Sequence, residues 1–166
     1  SVVSGLLCVS GLLGWVVPLS IWACIRKEED LTAEQATQSA YNKIDEAILE
    51  QLRDIVGAEN VLVSAEDMET YSHDEVAEIH HEPEAVVKVS SADEASRVMV
   101  LAQQSNFPVT PRGAGQGLSG GAVPVFGGVV LSLEKMNRIL EIDQENLMVI
   151  VEPGVITGTI HREVEA

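Results

Sequence analysis

The chain has 166 residues, which is enough for about one modest domain with a single core. Its 26 acidic residues against 10 Lys plus Arg give a formal net charge of −16. This charge excludes nucleic acid as a partner, because that binding depends on clustered basic side chains. The two cysteines, Cys8 and Cys24, lie in the apolar N-terminal stretch, so the rest of the chain has neither a disulfide framework nor a thiolate metal site.

Residues 1–25 are apolar and uncharged, and as a helix they are long enough to cross a hydrocarbon core of about 30 Å. The basic pair Arg26 and Lys27 after this stretch places the rest of the chain on the cytoplasmic side of the membrane. A cleaved secretory signal fits less well, since no basic segment precedes the stretch and no A-x-A site follows it. Its glycines and Pro18 also suit an unrelated leader. We therefore predict a transmembrane or leader helix, with the protein at the cytoplasmic face of a membrane or otherwise in the cytoplasm.

Residues 26–43 are acidic and polar without an apolar stripe, which predicts a solvated linker. In residues 41–56, apolar side chains recur every three or four positions, which predicts an amphipathic helix that ends at Gly57. Ser64, with an acidic residue three positions later, predicts a second helix start. A folded domain is thus expected over residues 44–166.

The next segment carries six side chains that could ligate a metal. These are His73, Asp74, Glu75, His80, His81 and Glu82. Ligands on a helix recur every three or four positions, whereas His73 and His80 are seven apart, so the spacing matches no metal site. An exposed polar loop accounts for all six, and a metal site is the weaker alternative.

A β-α-β unit follows. Residues 85–91 predict a strand, residues 93–106 a helix capped by Asp93, and residues 107–110 the start of a second strand. The apolar positions of the helix are predicted to form a buried stripe, made of Ala95, Val98, Met99, Leu101 and Ala102.

Residues 111–128 read PRGAGQGLSGGAVPVFGG and hold seven of the thirteen glycines and one charge, that of Arg112. Glycine permits positive φ and close approach of the backbone, so such a run can surround phosphate with main-chain N–H groups. Residues 95–133 contain no Asp or Glu, although average density would place about six acids there. An anion site is therefore expected, with no carboxylate near the loop to repel the anion. A surface turn is the alternative, but flexible linkers usually carry charge and lack flanking strands.

Two known phosphate-binding motifs do not fit this run. Gly115, Gly117 and Gly120 satisfy G-x-G-x-x-G, and Glu134 lies 19 residues after Gly115, near the ribose-binding acid of that motif. The helix that this motif requires is excluded by Pro124 and the neighbouring glycines. A Walker loop is excluded because the run contains no lysine. What remains is a long loop between two strands that binds a diphosphate through backbone donors.

Beyond the loop, residues 127–136, 139–143 and 146–155 predict three strands, with a turn at 143–146. From residue 155 onward the pattern predicts the start of a helix, with His161 on its surface.

Three motifs in this order, residues 111–124, 127–143 and 151–155, resemble the FAD-binding domain of the glycolate oxidase and D-lactate dehydrogenase family. That family has the p-cresol methylhydroxylase type of FAD domain. The resemblance covers about residues 44–166 and implies an α+β fold, the N-terminal part of such a domain. Gln116 replaces an expected threonine and Phe126 a small or polar residue.

The resemblance implies that one set of residues surrounds the FAD pyrophosphate and a second set lies beside the flavin cleft. The first set is Pro111, Arg112, Gly113, Ala114, Gly115, Gln116, Gly117, Leu118 and Ser119. The second set is Pro153 and Gly154. No covalent flavin is predicted, because we expect no histidine near the loop.

By the same resemblance, the protein would be an FAD-dependent oxidoreductase that oxidises a small 2-hydroxy acid such as glycolate or D-lactate. Hydride would pass to the flavin, and electrons would leave to a quinone or an electron-transfer subunit. We expect a fragment open at both ends, with the substrate domain and the catalytic groups beyond residue 166, so no catalytic residue is predicted within it. The alternatives are a membrane-tethered nucleotide-binding module without redox chemistry, or another reaction on this flavin fold, as in cell-wall precursor reductases and ether-lipid synthases.

Overall fold

A computed structural model of the chain describes residues 40–76 and 78–165. Within them lie four α-helices, α1 to α4, and six strands, β1 to β6. In chain order they are α1 Glu46–Val56, β1 Val61–Leu62, α2 Ala65–Met68, β2 Ala85–Lys88, α3 Ala92–Ser105, β3 Val109–Arg112, β4 Val129–Ser132, β5 Ile139–Asp143, β6 Met148–Val151 and α4 Thr157–Val164. Short 3₁₀ turns occupy Ala58–Asn60 and Glu69–Tyr71.

The predicted leader, residues 1–25, and most of the predicted linker lie outside the described residues. Among the residues that are described, no helix combines the length and the apolar character needed to cross a membrane. The end of the predicted linker is tied to the end of α3. The amide of Asn42 donates to the carbonyl of Asn106, and the Asn106 side chain donates to the carbonyl of Ala40, each at 2.8 Å.

The main sheet has the strand order β1-β2-β4-β3, in which β2, β4 and β3 are parallel and β1 is antiparallel. All four residues of β4 are buried, as expected for a parallel strand covered on both faces. On one face α1 and α3 bring Leu52 and Val98 onto Val129 and its neighbours. On the other face Tyr71 packs on Val86 and Val130. The core therefore consists of one sheet between two helices and the 68–71 segment.

The helices begin and end at local signals that the sequence carries. Asp45 caps α1 by accepting a hydrogen bond from the amide of Ile48, and Gly57 ends it with a φ of +88°. The cap of α3 is Ser91, whose side chain accepts from the amide of Glu94, so the predicted cap at Asp93 is wrong. Asp93 instead lies in the first turn.

The predicted stripe of α3 is confirmed for Val98, Leu101 and Ala102, which are buried. Met99 is 50% exposed, so its predicted packing is wrong. At about 100° per residue, Met99 lies roughly 100° around the helix from Val98, at the edge of the buried face.

The strands and turn predicted after the glycine run are confirmed. Strands β5 and β6 form a separate antiparallel hairpin. The turn between them is held by Asp143, whose Oδ1 accepts from the amides of Glu145 and Asn146 at 3.0 Å. Helix α4 follows β6 after the turn at residues 153–154.

The parallel strands end together. Lys88 of β2, Ser132 of β4 and Arg112 of β3 are paired in register as the last residue of each strand. The segments that follow β3 and β4 therefore leave from the same edge of the sheet, which is where open parallel sheets bind ligands. Residues 113–128 contain no helix, as the sequence predicted.

Candidate functional site

Residues 113–122, called the glycine loop below, leave the carboxyl edge of the sheet directly after β3. Among the described residues, none of the ten amide groups of this loop donates a hydrogen bond to the backbone or to a side chain. Gly115 and Gly120 both have a φ of +74°, a left-handed backbone conformation that favours glycine. Because backbone donors in proteins are normally paired, this run of free amides is suited to the oxygens of an anion.

The guanidinium of Arg112 supports the glycine loop from below. Its Nη1 donates to the carbonyl of His73 and its Nη2 to the carbonyl of Thr70, both at 2.7 Å. A Cβ on Gly115 would overlap this guanidinium, so the loop packs directly on it. Burial lowers the pKa of Arg112, and the charge of Asp74 partly offsets that effect. Arg112 thus fixes the loop to residues 70–73 and keeps a positive charge beneath it.

An acidic side chain lies beside the loop in the fold, although residues 95–133 of the sequence contain none. Asp74 is 7% exposed, and its Oδ2 lies 3.6 Å from the position of a Cβ on Gly117. Its Oδ1 accepts from the amide of Val76 at 2.9 Å, while Oδ2 has no partner among the described residues. The expectation that no carboxylate lies near the loop is therefore wrong, because a segment about 40 residues away packs against it.

The histidine segment lies against the loop for the same reason. The carbonyl of His73 accepts from Arg112, so the expectation that no histidine lies near the loop is also wrong. The rings of His73 and His80 stack at 6.1 Å between centroids, and the two residues form an isolated antiparallel bridge. Asp74 is buried, contrary to the predicted exposed loop. In the part of the chain that the structure describes, no group of three or more His, Cys, Asp or Glu side chains could hold a metal.

A cleft of about 510 Å³ opens beside the start of the glycine loop. Four segments contribute to its walls: the end of the 3₁₀ turn before Ser72, the start of the glycine loop, the segment after β4 and the segment that leads into α4. The lining residues are Thr70, Tyr71, Arg112, Gly113, Ala114, Glu134, Asn137, Gly154, Val155, Ile156 and Thr159.

The turn at Gly154 closes one side of this cleft. The amide of Gly154 donates to the carbonyl of Met136 at 2.8 Å, and a Cβ on Gly154 would overlap the carbonyl of Leu133. Only glycine allows this close packing against the segment after β4. The carbonyl of Pro153 lies 3.8 Å from the position of a Cβ on Gly113. The two motifs that the sequence singled out, the glycine run and VEPGV, are therefore neighbours in the fold.

Glu134 forms the charged part of the cleft wall. Lys88 Nζ lies 2.8 Å from its Oε1, and the Tyr71 hydroxyl donates to its Oε2 at 3.2 Å. Burial opposes ionisation, but the hydrogen bonds from Lys88 and Tyr71 and the charge of Lys88 lower the pKa of Glu134 overall. The bond to Glu134 raises the pKa of Lys88. The pair is therefore ionised at neutral pH.

Glu152, within the VEPGV motif, has a structural role. Its Oε2 accepts from the amide of Arg138 at 2.8 Å, and its Oε1 accepts from Arg138 Nη2 at 2.6 Å. These bonds lower the pKa of Glu152, the side-chain bond from Arg138 most of all. Glu152 is buried and does not line the cleft, so it holds the start of β5 against the end of β6.

The predicted binding residues divide into three groups. Arg112, Gly113, Ala114 and Gly154 line the cleft. Gly115 packs on Arg112, and Pro153 turns its carbonyl toward Gly113. The others do not line the cleft, namely Pro111 on β3 and Gln116, Gly117, Leu118 and Ser119 farther along the loop. Their role in binding a cofactor stays a prediction.

Sequence reasoning missed Tyr71, Glu134, Asn137 and Thr159 as cleft residues. A signal existed for two of them. Glu134 and Asn137 follow β4 within five positions, and polar residues at the carboxyl ends of parallel strands commonly face a ligand. Tyr71 carries no such signal, since it reaches the cleft only because the 3₁₀ turn packs across the sheet.

Comparison with known proteins identifies relatives of the chain. Residues 83–166 match the family described as FAD binding domain. Glycolate oxidase subunit GlcD of Bacillus subtilis is 41% identical over 123 residues, which cover 74% of this chain and 26% of that protein. D-lactate dehydrogenase of Anaerostipes hadrus is 40% identical over 127 residues, which cover 75% of this chain and 26% of that protein. The crystal structure of p-cresol methylhydroxylase with substrate bound superposes with a TM-score of 0.64 at 29% identity, over 72% of this chain and 24% of that one. The chain thus spans about a quarter of the length of these relatives.

Proposed function

Because this chain belongs to the family of FAD binding domains, we propose that it is part of an FAD-dependent oxidoreductase that oxidises a small 2-hydroxy acid such as glycolate or D-lactate. The resemblance drawn from the sequence is confirmed at the level of the family, the cofactor FAD and the mixed α+β fold of the p-cresol methylhydroxylase type. The substrate and the electron acceptor belong to the proposal.

The free amides of the glycine loop are the observation that carries this proposal. FAD contains a diphosphate, and a diphosphate requires several donors that converge without intervening side chains. Counting only partners in the described part of the chain, the glycine loop offers ten unpaired amides with a fixed cation, Arg112, beneath them. The adjoining cleft of about 510 Å³ has room for part of a nucleotide. The residues present therefore fit the cofactor.

In the mechanism that we propose, these residues bind and orient the cofactor. The loop amides would hold the diphosphate, Arg112 would keep the loop in place, and the turn at Gly154 would limit the cleft. When bound, FAD supplies the acceptor for the hydride that leaves the carbon bearing the substrate hydroxyl. We assign no catalytic residue to this chain.

The substrate class is supported by the names of the relatives. Glycolate oxidase and D-lactate dehydrogenase both act on 2-hydroxy acids, and they match the chain at 41% and 40% identity. We propose that electrons then pass from the flavin to a quinone or an electron-transfer subunit.

The test uses the full-length protein with its flavin bound. Anaerobic addition of D-lactate or glycolate should bleach the visible flavin absorbance, whereas L-lactate serves as the stereochemical control for the D-lactate reaction. Protein that contains flavin but is bleached by no 2-hydroxy acid would point to another reaction on this fold. Protein that binds FAD but is reduced by no donor would favour a nucleotide-binding module, and absence of flavin would contradict the proposal altogether.

We also propose that the protein is held at the cytoplasmic face of a membrane by residues 1–25. Support comes from their uncharged length and from the basic pair Arg26 and Lys27. Deletion of residues 1–25 should release the protein from sedimented membranes without loss of flavin. Continued sedimentation of the shortened protein with membranes would contradict an anchor there.

A further inference from the structure

Glu134 contributes the one carboxylate among the residues that line the cleft in the described part of the chain. It is held from two sides, since Lys88 bonds its Oε1 and Tyr71 its Oε2. An ionised carboxylate has about four acceptor positions, so these two bonds leave about half of them available. The side chain of Glu134 is 44% exposed, which makes the remaining positions accessible from the cleft.

The position of Glu134 determines which chemical group it can receive. An ionised carboxylate accepts hydrogen bonds and repels phosphate, whereas the amides of the glycine loop donate and attract phosphate. Two neighbouring walls of one cleft therefore suit different parts of one ligand. The part beside Glu134 must bring hydrogen-bond donors without negative charge, and hydroxyl groups meet that requirement.

Lys88 and Tyr71 keep Glu134 suited to this task. Their bonds fix both oxygens, so little side-chain entropy is left to lose when a ligand binds. Lys88 Nζ and Arg112 Cζ each lie 5.7 Å from the centre of the Tyr71 ring. The ring thus lies near both cations, and the three side chains form one fixed support at the ends of the parallel strands.

We propose that Glu134 is a specificity-determining residue that accepts hydrogen bonds from vicinal hydroxyls of the bound nucleotide, with Lys88 and Tyr71 as positioning residues. This inference rests on the proposed function. FAD carries such hydroxyls on the ribose of its adenosine half and on the ribityl chain of its flavin half. Either source satisfies the same chemistry.

The role does not depend on the G-x-G-x-x-G arrangement, in which the acid follows a helix. Here no helix lies between the glycines and Glu134, which follows the neighbouring parallel strand β4. Glu134 comes close to the glycine loop because β3 and β4 end at the same edge of the sheet. The strand topology therefore makes Glu134 a candidate for binding hydroxyl groups, and its spacing of 19 residues from Gly115 does not.

The experiment measures binding to the full-length protein after its flavin has been removed. ADP, 2′,3′-dideoxy-ADP and FMN are titrated by calorimetry into the wild type, Glu134→Ala and Glu134→Gln. The control is Glu145→Ala, which removes the same charge from the exposed turn between β5 and β6. Circular dichroism verifies that each variant is folded. If Glu134→Ala does not fold, Glu134→Gln is compared with the wild type in its place.

If the ribose is the source, the wild type should bind ADP about ten-fold to a hundred-fold more tightly than dideoxy-ADP, as expected for charge-assisted hydrogen bonds. Glu134→Ala should bring that ratio close to one, Glu134→Gln should leave an intermediate value, and Glu145→Ala should not change it. If the ribityl chain is the source, Glu134→Ala should weaken FMN instead and leave ADP unaffected.

Equal weakening of ADP and dideoxy-ADP by Glu134→Ala, with FMN unchanged, would overturn the proposal, as would unchanged affinity for all three. The two proposals fail separately. A wild-type protein that binds neither FAD nor ADP contradicts the proposed function, whereas normal FAD binding with no effect of Glu134→Ala contradicts only the role of Glu134.

Discussion

The main sheet and the β5–β6 hairpin are both built from apolar strands, but they differ in what covers them. Strand β4 is buried along its whole length, between α1 and α3 on one face and Tyr71 on the other. Neither strand of the hairpin contains a fully buried residue, and Leu147 in its turn is 91% exposed. Burial in the main sheet therefore supplies most of the hydrophobic stabilisation of the described residues.

The main sheet and the glycine loop also differ in the hydrogen bonding of their backbone amides. The strands of the main sheet pair their amides with one another, whereas the loop leaves ten amides without an acceptor among the described residues. The covered part of the fold thus determines stability, and the uncovered part at the strand ends offers the groups that a ligand can use. Substitutions in the two parts should accordingly affect different measurements.

The largest expected effect is on cofactor binding. In Gly115→Asp the Cβ would overlap the Arg112 guanidinium at a φ of +74°, and the carboxylate would repel the diphosphate. We expect affinity for FAD to fall by more than about a thousand-fold, so that the purified protein is colourless. The measurement is the visible absorbance of the full-length protein.

Gly121→Asp is the matched control for this loss. It adds the same charge to the same loop at a position where a Cβ meets no atom within 4 Å. Because only the charge acts there, we expect a decrease of about ten-fold with flavin still bound. Equal loss of flavin from both variants would show that packing on Arg112 is not what shapes the loop.

The second effect is on stability alone. Leu52 is fully buried between α1 and the main sheet, so Leu52→Ala should lower the free energy of unfolding by about 3 kcal/mol. Leu147→Ala, in the exposed turn of the hairpin, should change it by less than about 0.5 kcal/mol. Urea unfolding followed by circular dichroism measures both. A large effect of Leu147→Ala would mean that the hairpin is covered in the full-length protein.

The sequence predicted the covered part of the fold well, because burial leaves a periodic pattern. The apolar runs of β2 and β4 and the stripe of α3 identified the core, and Pro124 correctly excluded a helix in the glycine run. Two residues that could cap α3, Ser91 and Asp93, lie close together in sequence, and only the extended backbone of Ser91, with φ −149° and ψ 159°, shows which one is used.

The candidate site was predicted only in part, because its remaining members are joined by contacts distant in sequence. The glycine run was found from its composition, and Gly154 was implied by the resemblance of the VEPGV motif to the family. The burial of Asp74 under Gly117 and the bonds from Arg112 to residues 70–73 connect segments about 40 positions apart, and no local pattern records them. The same holds for Tyr71, whose contact with Glu134 spans 63 positions.

The third prediction concerns Arg112, which is the last residue of β3 in the main sheet and also supports the glycine loop. Arg112→Lys keeps the charge but loses the planar group that donates to the carbonyls of both Thr70 and His73. Losing one of these part-buried, charge-assisted hydrogen bonds should lower the free energy of unfolding by about 2 kcal/mol. Urea unfolding measures this, with Arg97→Lys on the exposed side of α3 as the control. Equal effects of the two substitutions would mean that the carbonyl contacts do not stabilise the fold.

The smallest expected effect is the pH dependence of the ion pair between Lys88 and Glu134. The pKa of Glu134 is lower in the folded protein than its ordinary value, so the pair stabilises the fold above that ordinary value and loses its effect as the pH falls through the lowered pKa. The pKa of Lys88 is raised, so its contribution is complete below its ordinary value and is lost as the pH rises through the raised pKa. Both side chains are partly exposed, which limits the effect to less than about 1 kcal/mol.

This dependence can be isolated by comparing the wild type with Lys88→Met over the acid range. The difference in the free energy of unfolding should be constant near neutrality and should shrink as Glu134 becomes protonated. Lys43→Met serves as the control, because Lys43 is exposed and forms no ion pair within the described residues. A difference that stays constant to the lowest pH would show that Lys88 acts through packing on Tyr71. In that case the ionisation of Glu134 would depend on its other surroundings in the cleft and not on Lys88.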